Sequence, residues 1–255
     1  MKKNIEFECE IIKKSFGGGC VDFIIENEEL AKLCQCGQFV QIDCGGKTFL
    51  RRPISICDVN GSQIRIIFQI RGEGTLQLAE FNAGDSLNII GPLGHGFSIN
   101  KNDENVVFVG GGLGIFPLLM PAKKYGSNAT VILGYRNAAA VYLEKEFTDA
   151  GCKVITMTDD GSYGQKGFTT DSLETLINQG SVGKIKTCGP HIMMKKVAEM
   201  AIKHDIECEV SMESRMSCGI GMCLCCVQKI HSGNEIDHVC VCKYGPVMDA
   251  GEVVW

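Results

Sequence analysis

The sequence has 255 residues, of which 45% are hydrophobic and 22% charged, and its formal net charge is -5. This size allows two domains, or two domains plus a small appendage. The acidic balance gives no reason to expect a nucleic acid partner. No stretch approaches the roughly 18 consecutive apolar residues of a membrane span, so we expect no membrane insertion.

The cysteine content is high, with 15 cysteines in the chain. In a secreted protein such a number would suggest disulfides. The first residues, MKKNIEFECEII, contain no apolar stretch of signal-peptide length. We therefore expect a cytoplasmic protein in which most cysteines are free and behave as small buried side chains.

The first hundred residues have the pattern of short β-strands. The segments IEFECEII, QFVQIDC and IRIIFQI alternate apolar and polar positions, and VDFII is a short apolar run. Glycine-rich turns separate them. This spacing predicts a small closed barrel, with a single helix near residues 75–81.

Three short motifs in this region are candidates for carrying chemistry, and the first two suit a cofactor that contains phosphate. Residues 51–56 (RRPISI) offer an arginine fork for phosphate and a hydroxyl for a ring heteroatom. Residues 71–75 (RGEGT) lead into a helix start, where amides and the Thr75 hydroxyl could hold a pyrophosphate. Residues 91–97 (GPLGHGF) predict a rigid corner at the end of the barrel. Taken singly, the motifs also fit a surface cation pair, a capped helix and a linker.

The hydrophobic pattern changes after residue 100. The continuous apolar run NVVFV is typical of a strand buried on both faces, and it leads through GGGLGIFP into the helix-like LLMPAKKYG. Strand, glycine turn and helix form the entry unit of nucleotide-binding α/β domains, although the spacing is not the GxGxxG of the Rossmann fold. We count five βα steps, which predict a parallel sheet with helices on both faces.

Ligands of such sheets bind beyond the carboxyl ends of the strands, and these ends are rich in small residues. We expect a dinucleotide to contact four of them: Gly111, Gly112, Cys188 and Gly189. The Cys188 thiol also fits a purely structural place in the core. Arg136 is a cation near the expected ribose, whereas Asp159 and Asp160 would repel a 2′-phosphate, which favours NAD over NADP.

The C-terminal region contains a dense group of cysteines. Cys218, Cys223 and Cys226 have the x4 and x2 spacing of plant-type [2Fe–2S] ligands, followed by a distant cysteine. Cys240 and Cys242 are both candidates for the fourth ligand.

Two alternatives accompany this interpretation. Cys225 competes with Cys226 as the third ligand, although it would break the x4/x2 spacing. Four thiolates also suit structural zinc, but zinc sites usually show two short-spaced pairs. Gly219 and Gly221 favour the cluster, because a loop that turns amides toward sulfur needs residues that tolerate positive φ.

In this order, the motifs RRPIS, RGEGT, GPLG, VGGGLGIFP and CGP resemble those of the ferredoxin–NADP⁺ reductase superfamily. With CGIGMCLCC and CVCKYGPV added, the chain is similar to the electron-transfer subunits of class B (NAD-linked) dihydroorotate dehydrogenases. The resemblance implies an FAD-binding antiparallel β-barrel over residues 1–99, an NAD-binding α/β domain with a parallel sheet over residues 100–210, and a small [2Fe–2S] module over residues 211–255.

The resemblance also implies roles for individual residues. Those that would contact FAD are Arg52, Pro53, Ile54, Ser55, Ile67, Phe68, Gln69, Gly74 and Thr75. The cluster ligands would be Cys218, Cys223, Cys226 and Cys242, because two residues separate the last cysteine of the family from Gly-Pro-Val. The sequence departs from the family at Tyr244, where an acidic residue is frequent, and in its additional thiols Cys225 and Cys240.

The function implied is electron transfer from an FMN-containing catalytic subunit that oxidises dihydroorotate, through the cluster and FAD, to NAD⁺. The expected assembly is a heterotetramer with two copies of each subunit, and no residue here is expected to bind dihydroorotate. Similar subunits serve NADH-dependent ferredoxin:NADP⁺ oxidoreductases, hydrogenases and sulfite reductases. In the first of these an aspartate often replaces the first cluster cysteine, so Cys218 disfavours it. A redox-responsive binding module without turnover is a further alternative.

Overall fold

The computed structural model describes residues 5–46 and 48–255, so the first four residues of the predicted barrel unit lie outside the described part. The chain forms a closed six-stranded barrel, a seven-stranded sheet and a separate two-stranded sheet. The predicted fold class is therefore confirmed. Among the described residues, no helix has the length and apolar character needed to cross a bilayer.

The barrel consists entirely of antiparallel neighbours. In the spatial order β1-β2-β5-β4-β3-β6, its strands are β1 (Glu6–Gly17), β2 (Cys20–Glu26), β5 (Gln63–Phe68), β4 (Arg52–Asn60), β3 (Phe39–Ile42) and β6 (Ser86–Leu93). Their alternating apolar side chains fill the interior, where the rings of Phe23 and Phe68 meet edge to face at 5.4 Å.

Two short helices accompany the barrel, whereas the sequence predicted one. The predicted helix is α2 (Glu73–Leu78), which starts two residues earlier than expected. The missed helix is α1 (Glu28–Leu33), whose start is capped by Asn27 because its side chain accepts from the Leu30 amide at 2.9 Å. Six residues are too few to establish a helical period in the sequence.

The seven-stranded sheet has the order β10-β9-β8-β7-β11-β12-β15. Its strands are β7 (Val106–Gly111), β8 (Ala129–Tyr135), β9 (Lys153–Thr158), β10 (Gln165–Lys166), β11 (Lys184–Cys188), β12 (Glu207–Ser211) and β15 (Val247–Asp249). The helices are α3 (Phe116–Tyr125), α4 (Glu144–Asp149), α5 (Thr169–Asn178) and α6 (His191–Lys203). Alternate residues of β7 face opposite ways, so α5 and α6 cover one face of the sheet and α3 and α4 the other.

The structure contains four βα steps, formed by β7 and α3, β8 and α4, β9 and α5, and β11 and α6, so the predicted number of five was wrong by one. Strand β12 is not followed by a helix. It runs instead into an irregular loop, residues 212–226, which we call the thiol loop. The chain then forms a hairpin of β13 (Val227–Ser232) and β14 (Glu235–Cys240), followed by α7 (Val241–Tyr244).

The C-terminal segment joins the other two parts of the molecule. Strand β15 pairs antiparallel with β12, with Val210 opposite Met248, and so forms the edge of the seven-stranded sheet. On the barrel side, the His95 amide donates to the Gly245 carbonyl at 2.7 Å. The thiol loop is therefore held between the sheet and the barrel.

Ion pairs and hydrogen bonds fix the barrel against the sheet. Arg65 of β5 pairs with the buried Asp22 at 2.6 Å, and the Tyr142 hydroxyl, from the α/β part, donates to the same carboxylate at 2.6 Å. On the other side, buried Lys186 of β11 pairs with Glu209 and donates to the Ser98 carbonyl at 2.7 Å. Because a buried charge is costly when one partner is lost, these contacts favour a single relative placement of the two parts.

Candidate cofactor sites

The two arginine- and glycine-containing motifs of the barrel meet in space. Arg52 opens β4, and Gly74 lies in the first turn of α2. A Cβ added to Gly74 would lie 2.4 Å from the guanidinium of Arg52, so only glycine allows this contact. Arg51, by contrast, donates to the Asn88 carbonyl at 3.0 Å and is part of the barrel wall. Arg52 is therefore the arginine whose position beside a helix start suits a phosphate.

The polar residues of the RGEGT motif shape their own turn. The Thr75 hydroxyl accepts from the amides of Arg71 at 2.8 Å and Gly72 at 3.2 Å. Arg71 Nε donates to the side-chain oxygen of Gln69 at 3.1 Å. Gln69, Arg71 and Thr75 thus form one connected surface directly after β5.

The remaining residues predicted to contact FAD differ in how deeply they are buried. Ile54 and Phe68 are buried in the barrel core, and Ile67 is buried against the α/β part. Pro53 and Ser55 are half-buried on β4. The Ser55 hydroxyl has no hydrogen-bond partner within the described part of the chain, so it is free to donate to a bound ring. The FAD contacts remain predictions.

The carboxyl ends of β7, β8 and β11 lie side by side, as the sequence predicted for a parallel sheet. Cys188 is opposite Gly110, and Gly111 is opposite Gly134. A Cβ on Gly114 would lie 2.4 Å from the Cys188 carbonyl carbon, which shows how tightly the backbones pack there. Gly112, in contrast, has a φ of 54° and open space in front of it.

This edge suits a dinucleotide, because bare backbone at strand ends allows close approach of a pyrophosphate. Gly189, at a φ of 153°, packs directly on Gly111, so both predicted glycines belong to the same surface. The Cys188 side chain itself is only 2% exposed and belongs to the core shared by the barrel and α/β parts.

Two polar residues at the same edge were missed by the sequence analysis. Ser211 ends β12 opposite Cys188, and Glu213 follows two residues later. Burial raises the pKa of Cys188 to about 12, the charge of Glu213 adds to this, and a hydrogen bond from Ser211 opposes it. The strand-end rule identifies both residues only when β12 is recognised as a strand beside β11, and the sequence analysis predicts no strand there.

Glu213 interacts electrostatically with residues of both cofactor surfaces. Its side chain reaches solvent, yet the protein atoms crowded around it raise the pKa of the carboxyl, while the charge of Arg71 lowers it. Arg71 belongs to the RGEGT motif and Cys188 to the strand-end edge, so the charge of Glu213 acts on residues of both surfaces.

The thiol loop and α7 supply backbone amides to sulfur atoms. The amide of Gly221 donates to Cys242 Sγ at 3.1 Å, that of Ile220 to Cys218 Sγ at 3.5 Å, and that of Cys242 to Cys226 Sγ at 3.5 Å. Hydrogen bonds from amides to cysteine sulfur stabilise the thiolate form that iron requires. The donor set therefore fits a thiolate-bound cluster, and the exposed Cys223 lies in the same loop.

The pKa values of the predicted ligand thiols are shifted in opposite directions by their surroundings. Burial disfavours the Cys218 thiolate, but amide hydrogen bonds from Ile220, Cys223 and Met222 outweigh it and lower its pKa to about 6. Burial and the neighbouring Cys226 raise the pKa of Cys242 to about 12. Across residues 5–46 and 48–255, no three His, Cys, Asp or Glu side chains are grouped tightly enough to hold a single metal ion.

The structure distinguishes the alternative ligands without deciding between them. Cys242 is buried and its sulfur accepts an amide, whereas Cys240 is half-buried and its pKa is raised by burial and by Cys226. Cys225 is exposed and donates to the Arg215 carbonyl at 3.5 Å. The assignment of Cys218, Cys223, Cys226 and Cys242 stays a prediction.

Comparison with known families identifies close similarity over the C-terminal region. Residues 213–254 match the family model described as the iron-sulfur cluster binding domain of dihydroorotate dehydrogenase B. This range contains the thiol loop from Glu213 onward, both alternatives for the fourth ligand and the edge strand β15.

Curated relatives cover almost the whole chain. The dihydroorotate dehydrogenase B (NAD(+)) electron transfer subunit of Caldanaerobacter subterraneus subsp. tengcongensis is 41% identical over 86% of this chain and 87% of its own length. That of Clostridium perfringens is 39% identical over 92% of each chain.

Solved structures show the same architecture. An NADH-dependent reduced ferredoxin-NADP oxidoreductase matches with a TM-score of 0.86 and 29% identity over 100% of this chain and 92% of that chain. A ferredoxin NADP⁺ reductase from Neisseria gonorrhoeae, with bound FAD and NADP, matches with a TM-score of 0.65 and 15% identity. That match covers 79% of this chain and 92% of the other, and at such identity it supports the fold alone.

Proposed function

Because this chain belongs to the family of dihydroorotate dehydrogenase B electron transfer subunits, we propose that it passes electrons from a dihydroorotate-oxidising catalytic subunit to NAD⁺ in pyrimidine biosynthesis. Its cofactors are FAD, a [2Fe–2S] cluster and NAD. The observation that carries this function is the position of the thiol loop. Phe39 and Leu93 of the barrel share a core with Cys226 and Cys242, which supports a cluster held against the outer wall of the barrel.

The chain's own residues bind and orient these groups. When bound, FAD exchanges a hydride with NAD⁺ and single electrons with the cluster. Arg52 and the turn before α2 neutralise the FAD pyrophosphate, and Ser55 offers its hydroxyl to the flavin ring. The glycines at the ends of β7 and β11 receive the dinucleotide. None of these residues is needed as a general base.

The residues after β8 and β9 support NAD rather than NADP. The backbone amide of Asp160 donates a hydrogen bond to the Arg136 carbonyl at 3.4 Å. The acidic pair at residues 159–160 therefore lies beside the cation that a 2′-phosphate would need. Two carboxylates near that position repel an additional phosphate. The curated relatives carry NAD(+) in their names, in agreement with this choice.

The partner implied by the family is a catalytic dihydroorotate dehydrogenase B subunit. We propose that this partner contains FMN and that the complex is a heterotetramer with two copies of each subunit. The thiol loop supports a docking role, because Ile220, Met222 and Leu224 are 40%, 79% and 69% exposed around the predicted ligands. Exposed apolar side chains grouped in this way are typical of interaction surfaces. We place the complex in the cytoplasm, since all 15 cysteines are free.

The test begins with the protein purified without oxygen. We expect a coloured protein that contains FAD, iron and acid-labile sulfide and that oxidises NADH with an artificial acceptor. Coexpressed with its catalytic subunit, it should reduce NAD⁺ when dihydroorotate is added, whereas alone it should not respond to dihydroorotate. A colourless protein that contains zinc but neither iron nor flavin would contradict the proposal.

A second candidate function follows from the solved NADH-dependent reduced ferredoxin-NADP oxidoreductase, which matches the full length of this chain. In that case the natural partner would exchange electrons with ferredoxin and NADP⁺ rather than with dihydroorotate. Copurification decides between them: a partner complex that reduces NADP⁺ with reduced ferredoxin, and that ignores dihydroorotate, favours the second candidate.

A further inference from the structure

Gln41 occupies an unusual place on the barrel strand β3. Its neighbours Val40 and Ile42 belong to the barrel interior, whereas Phe39 belongs to the core that contains Cys226 and Cys242. Because side chains alternate along a strand, Gln41 points the same way as Phe39, out of the barrel and toward the thiol loop. It is nevertheless 0% exposed.

The amide of Gln41 is buried without a partner. Neither its Nε2 nor its Oε1 has a hydrogen bond within the described chain, and the only other buried side-chain atom in this condition there is Thr156 Oγ1. Burial of an unpaired amide is unfavourable, and native proteins pair nearly all such groups. The orphaned amide therefore indicates a binding partner that is not part of the polypeptide.

The thiol loop lies directly on this amide. A Cβ added to Gly219 would lie 2.6 Å from Gln41 Cγ and 2.8 Å from Nε2. Gly219 follows Cys218, the first predicted ligand, and has a φ of 71°. On the other side, Gln41 is the strand partner of Pro53 in the RRPIS motif. Gln41 thus lies between the predicted cluster site and the predicted flavin site.

We propose that Gln41 is a positioning residue for electron transfer, with its Nε2–H donating a hydrogen bond to a sulfur of the [2Fe–2S] cluster, either the Cys218 thiolate or a bridging sulfide. The inference rests on the proposed function, because it requires the cluster. A donor to sulfur stabilises the more negative reduced cluster more than the oxidised one and so raises the reduction potential.

The first test substitutes Gln41→Leu, which keeps the volume close and removes the donor. The full protein with its cluster is titrated anaerobically, and the reduced cluster is followed by electron paramagnetic resonance. We expect the ratio of reduced to oxidised cluster at a fixed potential to fall about tenfold, equal to a decrease of about 59 mV for one electron. An unchanged potential would overturn the proposal.

A matched control is available on the same segment. Gln38 is also buried, but its Nε2 donates to the Gly94 carbonyl and its Oε1 accepts from the Gln35 amide, both at 2.8 Å. Gln38→Leu should therefore lower stability without moving the cluster potential. An equal decrease in both variants would point to general loosening of the barrel and would also overturn the proposal.

A second measurement avoids substitution and decides the matter if Gln41→Leu does not assemble. Wild-type protein is labelled with ¹⁵N in glutamine side-chain amides, and the reduced cluster is examined by pulsed electron paramagnetic resonance. A ¹⁵N coupling is expected from Gln41, whereas Gln228, the glutamine nearest to the loop in sequence, donates to the Lys229 and Val254 carbonyls instead. If the protein contains iron but shows no ¹⁵N coupling, the inference about Gln41 is wrong and the proposed function is unaffected. If the wild-type protein contains neither iron nor sulfide, the proposed function is wrong.

Discussion

In the barrel, cysteines behave as small apolar side chains, whereas in the thiol loop they face backbone amides. Cys9 is fully buried, and burial raises its pKa to about 12; burial also raises the pKa of Cys57. Cys218, in an open loop with amides directed at its sulfur, has its pKa lowered to about 6. The same side chain is thus inert in one region and ready to bind metal in the other.

The difference shows that the number of cysteines is a poor guide to a metal site. Nine of the 15 cysteines precede the thiol loop in sequence, and most of these nine are buried. What distinguishes the loop is its supply of amide donors, which depends on a backbone that turns at Gly219 and Gly221. Backbone geometry therefore separates the two kinds of thiol.

The largest expected effect comes from removing a loop thiol. Cys223→Ser should abolish the cluster, because one missing thiolate leaves iron without a ligand, and iron and sulfide analysis should show a loss to near zero. The control is Cys57→Ala in the buried core, which should keep full iron content and cost only about 1 kcal/mol of unfolding free energy. Iron retained in the first variant would show that the loop is not the cluster site.

A finer comparison separates Cys242 from Cys240. Cys242→Ser should lose the cluster, since the sulfur that accepts the Gly221 amide is removed. Cys240→Ser should retain it, with at most a modest change in its visible spectrum. If the outcomes are reversed, the fourth ligand is Cys240 and the spacing argument before Gly-Pro-Val is wrong.

The third prediction concerns the backbone that presents the amides. Gly219→Ala places a methyl 2.6 Å from Gln41 at a φ of 71°, so cluster occupancy should fall and the melting temperature of the loaded protein should decrease. The barrel control is Gly61→Ala, which has a similar φ of 61° but open space around it. This control substitution should lower the free energy of unfolding by only about 1 kcal/mol, because alanine is strained in the left-handed conformation. Equal behaviour of the two variants would remove the steric argument.

The smallest effect is a pH dependence in protein freed of its cluster, with circular dichroism used to verify that it stays folded. Alkylation of Cys218 should rise with a midpoint near pH 6, while Cys9 should stay unlabelled until the protein unfolds. The folded pKa of Cys218 lies below the ordinary value of 9.0, so its contribution to stability is complete above pH 9 and is lost as the pH falls through about 6. Labelling of Cys218 only above pH 8 would contradict this assignment.

Much of this architecture was predictable from sequence because its signals are local. Alternating strands, the long apolar run at β7 and the cysteine spacing each depend on neighbouring residues. Glu213 and Ser211 were missed because their role depends on β12 lying next to β11, a contact between distant parts of the chain. Gln41 was missed for a similar reason, since only the folded loop shows what lies on its amide.

The antiparallel strand β15 has a consequence for how this protein is made. While a ribosome is still translating residues 212–246, β12 has no neighbour on one side, and its free amides and carbonyls are open to pairing with another nascent chain. Only the final stretch of polypeptide closes that edge.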